Sequence, residues 1–295
     1  FIFDRLAEVV KPEILVVAYD SGGSKKTYVN RARQKGIKTL HVQYSFYTQD
    51  KWYDRKRLNS EYYCLWGQAH QETFFDGDED IKGVFITGNP TFDLHQYHRP
   101  EMRRELKLPD KGKVFTVGIS ARLEELTRFR DELSQAHLSG DEYFLIKLHP
   151  DFCNRTDEAR SILQGAKFKH RVYGTEISPY KLLSASDYLI TYHQEGLWLE
   201  SYFFGTTPIL IAGEEVKWAF DFLEGTSIVL ESALELTRLS ERRGRIDPAK
   251  LRRVRELLFH QRDFKASERV VEAMETIING PVVTDRPLEM LEAVL

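Results

Sequence analysis

The chain has 295 residues, 42% of them apolar and 29% charged, which is the composition of a soluble globular protein able to bury two ordinary cores or one large one. The 42 Lys and Arg against 45 Asp and Glu leave a net charge of -3, which argues against a globally basic nucleic-acid binder, and two cysteines exclude a disulfide scaffold or a cysteine-built zinc site. Mean hydropathy is -0.43, and no apolar run approaches the ~20 residues of a membrane span. The chain begins at Phe1, not Met, inside a helical pattern, so the numbering is expected to start within a longer protein.

Short apolar runs alternate with helical patterns, the signature of βαβ units and a parallel sheet. Ile14–Ala18, after Pro12, predicts the first strand, and Asp20-Ser21-Gly22-Gly23-Ser24 breaks it before a polar helix that runs to about Gln34. Lys38–Val42, Tyr62–Trp66 and Val84–Thr87 predict three more strands, and an irregular linker is expected from Thr91 to Gly112. Alternation then restarts. Strands are expected at Val114–Val117, Phe144–Leu148, Tyr188–Thr191, Pro208–Ile211 and Ile228–Leu230. Helices are expected near Leu123–Gln135, Thr156–Leu163, Pro179–Ala185 and Gly196–Phe204, with two more over Pro248–His260 and Lys265–Ile278. The first half thus has about four strands where a Rossmann-type half needs about six, so its opening βαβ units are expected to be missing.

In open parallel sheets ligands bind beyond the carboxyl ends of the strands, which selects a few loops. In Lys147-Leu148-His149-Pro150-Asp151, Pro150 stops the strand and holds His149 at the rim, where it can donate to a phosphate or act in proton transfer, or simply cap the strand. Lys147 alternates to the opposite face and reads as structural. The stretch Thr191-Tyr192-His193-Gln194-Glu195-Gly196 opens a helix whose free N–H groups favour a phosphate. Glu200, a turn further on, can accept both hydroxyls of a ribose, although Glu195 and Glu200 can equally offset the helix dipole or face solvent. Gly205-Thr206-Thr207-Pro208 reads as a helix stop.

The glycine turn at Gly22 and Gly23 does not fit the phosphate-loop pattern and is expected on the acceptor side, where Asp20 is the best-placed carboxylate for a general base in the first half. Tyr44 and Ser45 end the next strand and can contact an acceptor. Trp66-Gly67-Gln68 and Gly88-Asn89-Pro90 read as mainly structural turns. The segment 238–269 is locally basic, which suits a solvated helix face or an anionic membrane surface.

Taken in order, Pro12–Ala18, Thr39–Tyr44, Trp66-Gly67-Gln68, Ile86–Pro90, Lys147–Pro150, Asp187–Thr191 and Glu200…Gly205-Thr206-Thr207-Pro208 resemble the GT-B glycosyltransferase superfamily. The likeness is nearest to bacterial capsule and surface-polysaccharide glycosyltransferases, CDP-glycerol glycerophosphotransferases and UDP-N-acetylglucosamine 2-epimerase-like proteins. It implies an α/β fold of two Rossmann-like domains facing a cleft, with the nucleotide on the C-terminal domain. It implies that Glu200 binds the ribose and that His149 and the turn His193–Gly196, with Glu195, serve the diphosphate or base. Three departures stand out. The His-Arg-Glu-Asn stretch of the epimerases is replaced by Gly118-Ile119-Ser120-Ala121-Arg122, and the small Ser-rich turn by Tyr192-His193-Gln194-Glu195. Tyr44-Ser45 also stands where relatives commonly have His-Gly.

The resemblance implies a partial acceptor-side domain over 1–95, a nucleotide-binding domain over 96–275, and a tail over 276–295 that crosses back to the first domain. The expected activity is sugar transfer from a UDP- or CMP/CDP-linked donor to an acceptor hydroxyl in surface-glycan synthesis. Arg122 and His149 would offset the leaving diphosphate, with Asp20 as base. No metal and no further cofactor are expected. The expected partners are the nucleotide-sugar and a glycan or lipid-linked acceptor, with peripheral membrane contact through 238–269 and no nucleic acid, in the cytoplasm at the inner face of the membrane. Glycerophosphate transfer, epimerase-like chemistry and a catalytically inactive binding module are the alternatives.

Overall fold

The computed structural model describes residues 2–19, 23–46, 59–74, 81–120, 122–212, 216–239 and 246–280. Asp20, Gly22, Arg242, Arg243, Arg245 and the tail beyond 280 lie outside them. The chain divides into two compact units, one formed by residues up to Leu94 together with Glu256 onward, the other by His95–Arg255.

In the first unit, α1 (Ile2–Val10), β1 (Ile14–Val17), α2 (Gly23–Gln34), β2 (Lys38–Val42), β3 (Tyr62–Leu65), α3 (Gln68–Phe74) and β4 (Gly83–Ile86) follow one another. The four strands pair in chain order, all parallel. β3 is buried along its whole length, as its unbroken apolar run requires of a strand covered on both faces. One of its covers comes from the far end of the chain: α10 (Ala266–Asn279) packs Ala273 and Ile277 against Leu40, Tyr62 and Cys64. The ammonium of Lys38 donates to the carbonyls of Ile277 and Ile278, caps that satisfy the last turn of α10. The apolar stripe of α10 is buried against the first sheet, and the first unit takes in the chain from Glu256 onward.

Trp66 anchors the same unit. It is fully buried, its Nε1 donates to Gln43 O at 2.7 Å, and it stacks on Phe259 of α9 (Pro248–Phe259). Gly67 follows it because the backbone of Leu257 and Leu258 passes where a side chain would stand.

The second unit holds α4 (Arg99–Glu105), β5 (Lys113–Ile119), α5 (Leu123–Gln135), β6 (Glu142–Leu148), α6 (Thr156–Ile162), β7 (Lys169–Tyr173), α7 (Pro179–Ala185), β8 (Tyr188–Thr191), α8 (Gly196–Phe204), β9 (Thr207–Ile211) and β10 (Ile228–Leu230). Its parallel sheet runs β10-β9-β8-β5-β6-β7, so the chain starts in the middle, moves out one way, then returns and moves out the other. That is the doubly wound Rossmann order, with the reversal between β5 and β8.

Two elements of this unit depart from expectation. The irregular linker contains α4, whose start tolerates Pro100 because the first-turn N–H has no helical partner anyway. The edge strand β7 was hidden by Lys169, His170 and Arg171, polar residues that protect an exposed sheet edge. α8 is apolar nearly all round and buries Trp198, Leu199, Ser201, Tyr202, Phe203 and Phe204, then stops at Gly205 in the left-handed conformation (φ 71°). Among the described residues no helix is long and apolar enough to cross a membrane.

Candidate functional site

The reversal point is built by β5 and β8, which pair from Phe115 with Tyr188 to Val117 with Ile190. Gly118 then lets the start of α8 approach: a Cβ there would lie 3.3 Å from both Leu197 Cδ2 and Thr191 Cγ2. Two helices begin at this point, α5 after Arg122 and α8 after Glu195, and neither N-cap residue turns its side chain onto the helix. Their first N–H groups stay available, and the helix dipoles favour negative charge there. Arg122 is exposed, and its guanidinium has no hydrogen-bond or ion-pair partner among the described residues. A Cβ on Gly196 would meet open space.

Around the same strand end, three buried polar atoms lack a hydrogen-bond partner among the described residues: Thr191 Oγ1, Tyr192 OH and Trp198 Nε1. Buried polar groups are nearly always paired, and these three exceptions fall within eight residues of the chain.

Two residues not foreseen belong here. Glu125, in the first turn of α5, accepts from His193 Nε2 at 3.2 Å and from Ser120 Oγ at 3.4 Å. The loop after β8 is pinned from its other side, where Gln194 donates to Lys217 O at 2.7 Å and accepts from Ala219 N at 2.8 Å. An acid in a first helical turn reads from sequence as dipole compensation, so nothing marked Glu125 as a partner of a residue 68 positions away.

His149 stands at the neighbouring strand end, but its ring caps the following 3-10 turn, where Nδ1 accepts from Asp151 N at 3.3 Å. Lys147 is buried and donates to Gly174 O, the structural role expected of it. Glu200 turns toward α7, where the Tyr180 hydroxyl donates to Oε1 at 3.2 Å. Burial pushes its carboxyl up to about 7, although the residue keeps partial exposure. The folded state therefore holds this proton more tightly than the unfolded one, and stability falls as pH rises from about 4.5 to about 7. Replacing Glu200 by Gln is expected to stabilise the protein at pH 8, by about 2 kcal/mol, and to leave it nearly unchanged at pH 4. Urea denaturation at the two pH values checks this; equal shifts at both would mean a packing effect.

In the first unit, Gly23 opens α2 with φ 55°. Tyr44 is 55% exposed and meets the edge of Tyr19 at 6.0 Å, and Lys25 lies 4.8 Å over the Tyr19 ring. Ser45 O accepts from Gln43 Nε2. Part of the basic segment is structural: Arg255 donates to Tyr202 O, and Arg269 binds Thr87 O and Asp263. Among the described residues no group of three or more His, Cys, Asp or Glu is placed to hold a metal ion.

No protein-family model matches the chain, and no curated protein matches its sequence. Solved structures do match. The UDP-GlcNAc 2-epimerase of Neisseria meningitidis, bound to UDP-GlcNAc, is 16% identical over 92% of this chain and 80% of its own, with a TM-score of 0.62. The wall teichoic acid polymerase TagF, soaked with CDPG, is 15% identical over 90% of this chain and 72% of its own, with a TM-score of 0.62. A glycosyltransferase of Rickettsia africae is 13% identical over 94% of this chain and 80% of its own, with a TM-score of 0.56. At such identities the likeness speaks to fold: this chain has a GT-B-like α/β fold with two Rossmann-like units.

Proposed function

We propose that the protein is a glycosyltransferase that moves a sugar from a nucleotide-sugar donor to an acceptor hydroxyl in surface-glycan synthesis. The observation that carries this is the concentration of anion-binding groups at the reversal point: two uncapped helix starts and Arg122, whose guanidinium has no partner among the described residues. The ligands named for two similar structures, UDP-GlcNAc and CDPG, support a nucleotide carrying phosphate at such a place.

In this reading the acceptor oxygen bonds to the anomeric carbon as the bond to the donor's phosphate oxygen breaks. Negative charge grows on the leaving phosphate. Arg122 and the N–H groups at the starts of α5 and α8 offset it, a preorganised electrostatic contribution that is larger in the transition state than in the ground state. Glu200 Oε2, which makes no hydrogen bond among the described residues, takes ribose hydroxyls while Tyr180 holds Oε1. His149 serves as a further phosphate donor at the adjoining strand end. Tyr44 and Ser45 serve the acceptor, and Asp20 the proton.

Calorimetric titration with UDP, CDP, CMP and GDP tests the reading. Binding of at least one is expected, and Arg122→Ala should weaken it about tenfold, the loss of a charge-assisted hydrogen bond. His149→Ala should lower turnover with the same donor. Likeness to TagF favours glycerophosphate transfer as a second reading, which preference for CDP-glycerol over all nucleotide-sugars would establish. If no nucleotide binds, the reading is wrong and a non-catalytic binding module is favoured.

A further inference from the structure

Two of the places where this sequence departs from the resemblance, Ser120–Arg122 and Tyr192–Glu195, are 70 residues apart in the chain, yet one carboxylate joins them. Glu125 receives Ser120 from the loop after β5 and His193 from the loop after β8. Its side chain is 11% exposed, whereas that of His193 is 62% exposed. A buried, doubly hydrogen-bonded acceptor thus grips one edge of a solvent-facing imidazole.

We propose that Glu125 is a positioning residue that holds His193 with Nε2–H on the carboxylate and Nδ1 turned outward, so that the ring as imidazolium donates Nδ1–H to the ligand's phosphate. This rests on the nucleotide-sugar reading and adds a residue that the resemblance does not supply.

The carboxylate needs such a role to be tolerated where it stands. It lies in the first turn of α5, next to two helix starts that favour an anion, and by itself it would repel a phosphate. The other charges close to it are spoken for or point to the same ligand. Arg128 is paired with Glu132 at 2.7 Å and lies 5.5 Å over the Tyr192 ring, Glu124 is exposed, and Arg122 is free. With its carboxylate partner on Nε2, the ring of His193 is oriented and its Nδ1 edge faces outward. Without His193, only the unfavourable charge of Glu125 remains.

That asymmetry makes the proposal testable by a double-mutant cycle read as nucleotide affinity. UDP and CDP are titrated into wild type, Glu125→Gln, His193→Ala and the double variant. In the wild-type background Glu125→Gln should weaken binding about tenfold, because the imidazole loses its charged anchor. In the His193→Ala background the same change should strengthen binding, because it then removes only a like charge. Glu125→Asp should retain part of the wild-type affinity. Long-range proton–nitrogen spectra of the imidazole should place the proton of neutral His193 on Nε2 in wild type and spread it over both nitrogens in Glu125→Gln.

A purely structural Glu125 would shift affinity equally in both backgrounds. That result, or no effect in either, overturns the inference while leaving the functional reading intact. If wild type binds none of UDP, CDP, CMP and GDP, the functional reading fails first and this inference falls with it.

Discussion

Gly67→Ala is expected to destabilise the first unit by about 3 kcal/mol or more, at the upper end of the overpacking range. A Cβ at position 67 would stand 2.6 Å from Leu258 O and closer still to Leu257 O. The obstacle is backbone, not the far end of a flexible side chain, so relief requires α9 to move off Trp66. Trp66 in turn stacks on Phe259 and meets Phe92, so displacement would open the most aromatic part of that core. Thermal and urea denaturation should show an early transition in the variant. Gly196→Ala is the control: its Cβ meets nothing within 4 Å, and stability should hardly change. Similar losses in both would mean that the close approach at Gly67 does not govern stability.

The second large effect is expected at Asp187→Ala, a loss of about 2–3 kcal/mol from the second unit, since removing one partner strands a buried charge. Asp187 sits just before β8 and ties four elements together. Its Oδ2 accepts from Arg103 at 2.7 Å and from Val114 N at 2.9 Å, and its Oδ1 accepts from Arg99 at 3.3 Å. Its backbone pairs with Val114 O and Thr207 N. The Arg103 side chain is only 10% exposed, so without Asp187 its charge would keep carbonyl partners alone. Partial exposure of Asp187, at 24%, keeps the expected loss below that of a fully buried pair. Arg103→Ala combined with Asp187→Ala should destabilise by much less than the sum of the single changes. Additive losses would show that the pair is not coupled.

Both predictions concern residues whose sequence signal was of unequal worth. Gly67 was legible as a turn after a strand, but its severity depends on Leu257 and Leu258, about 190 positions away, which no local pattern announces. Asp187 was legible as a short turn. Its arginine partners sit on α4, inside a stretch rich in His, Arg and Pro that reads as a linker because Pro100 looks like a breaker when it is in fact a starter.

The candidate site divides in the same way. His193, Glu195 and Gly196 were reachable because strand ends followed by helix starts are where parallel sheets bind ligands. Glu200 was reachable by its place in that helix, but its raised proton affinity was not, because that comes from burial, which outweighs the opposing hydrogen bond from the Tyr180 hydroxyl. Glu125 and Ser120 were passed over, since each looks ordinary within its own loop and gains meaning only across the β5–β8 pairing.

Apolar periodicity, turn residues and strand-helix alternation by themselves determined an α/β chain with parallel sheets, most of its helices within a residue or two, and the loops worth inspecting. These are local properties, set by side-chain spacing and backbone sterics. Only the tertiary structure decided that β7 completes the second sheet and that two unrelated-looking loops share one carboxylate. Those are contacts between residues far apart in the chain, and their energies arise only when burial brings them together.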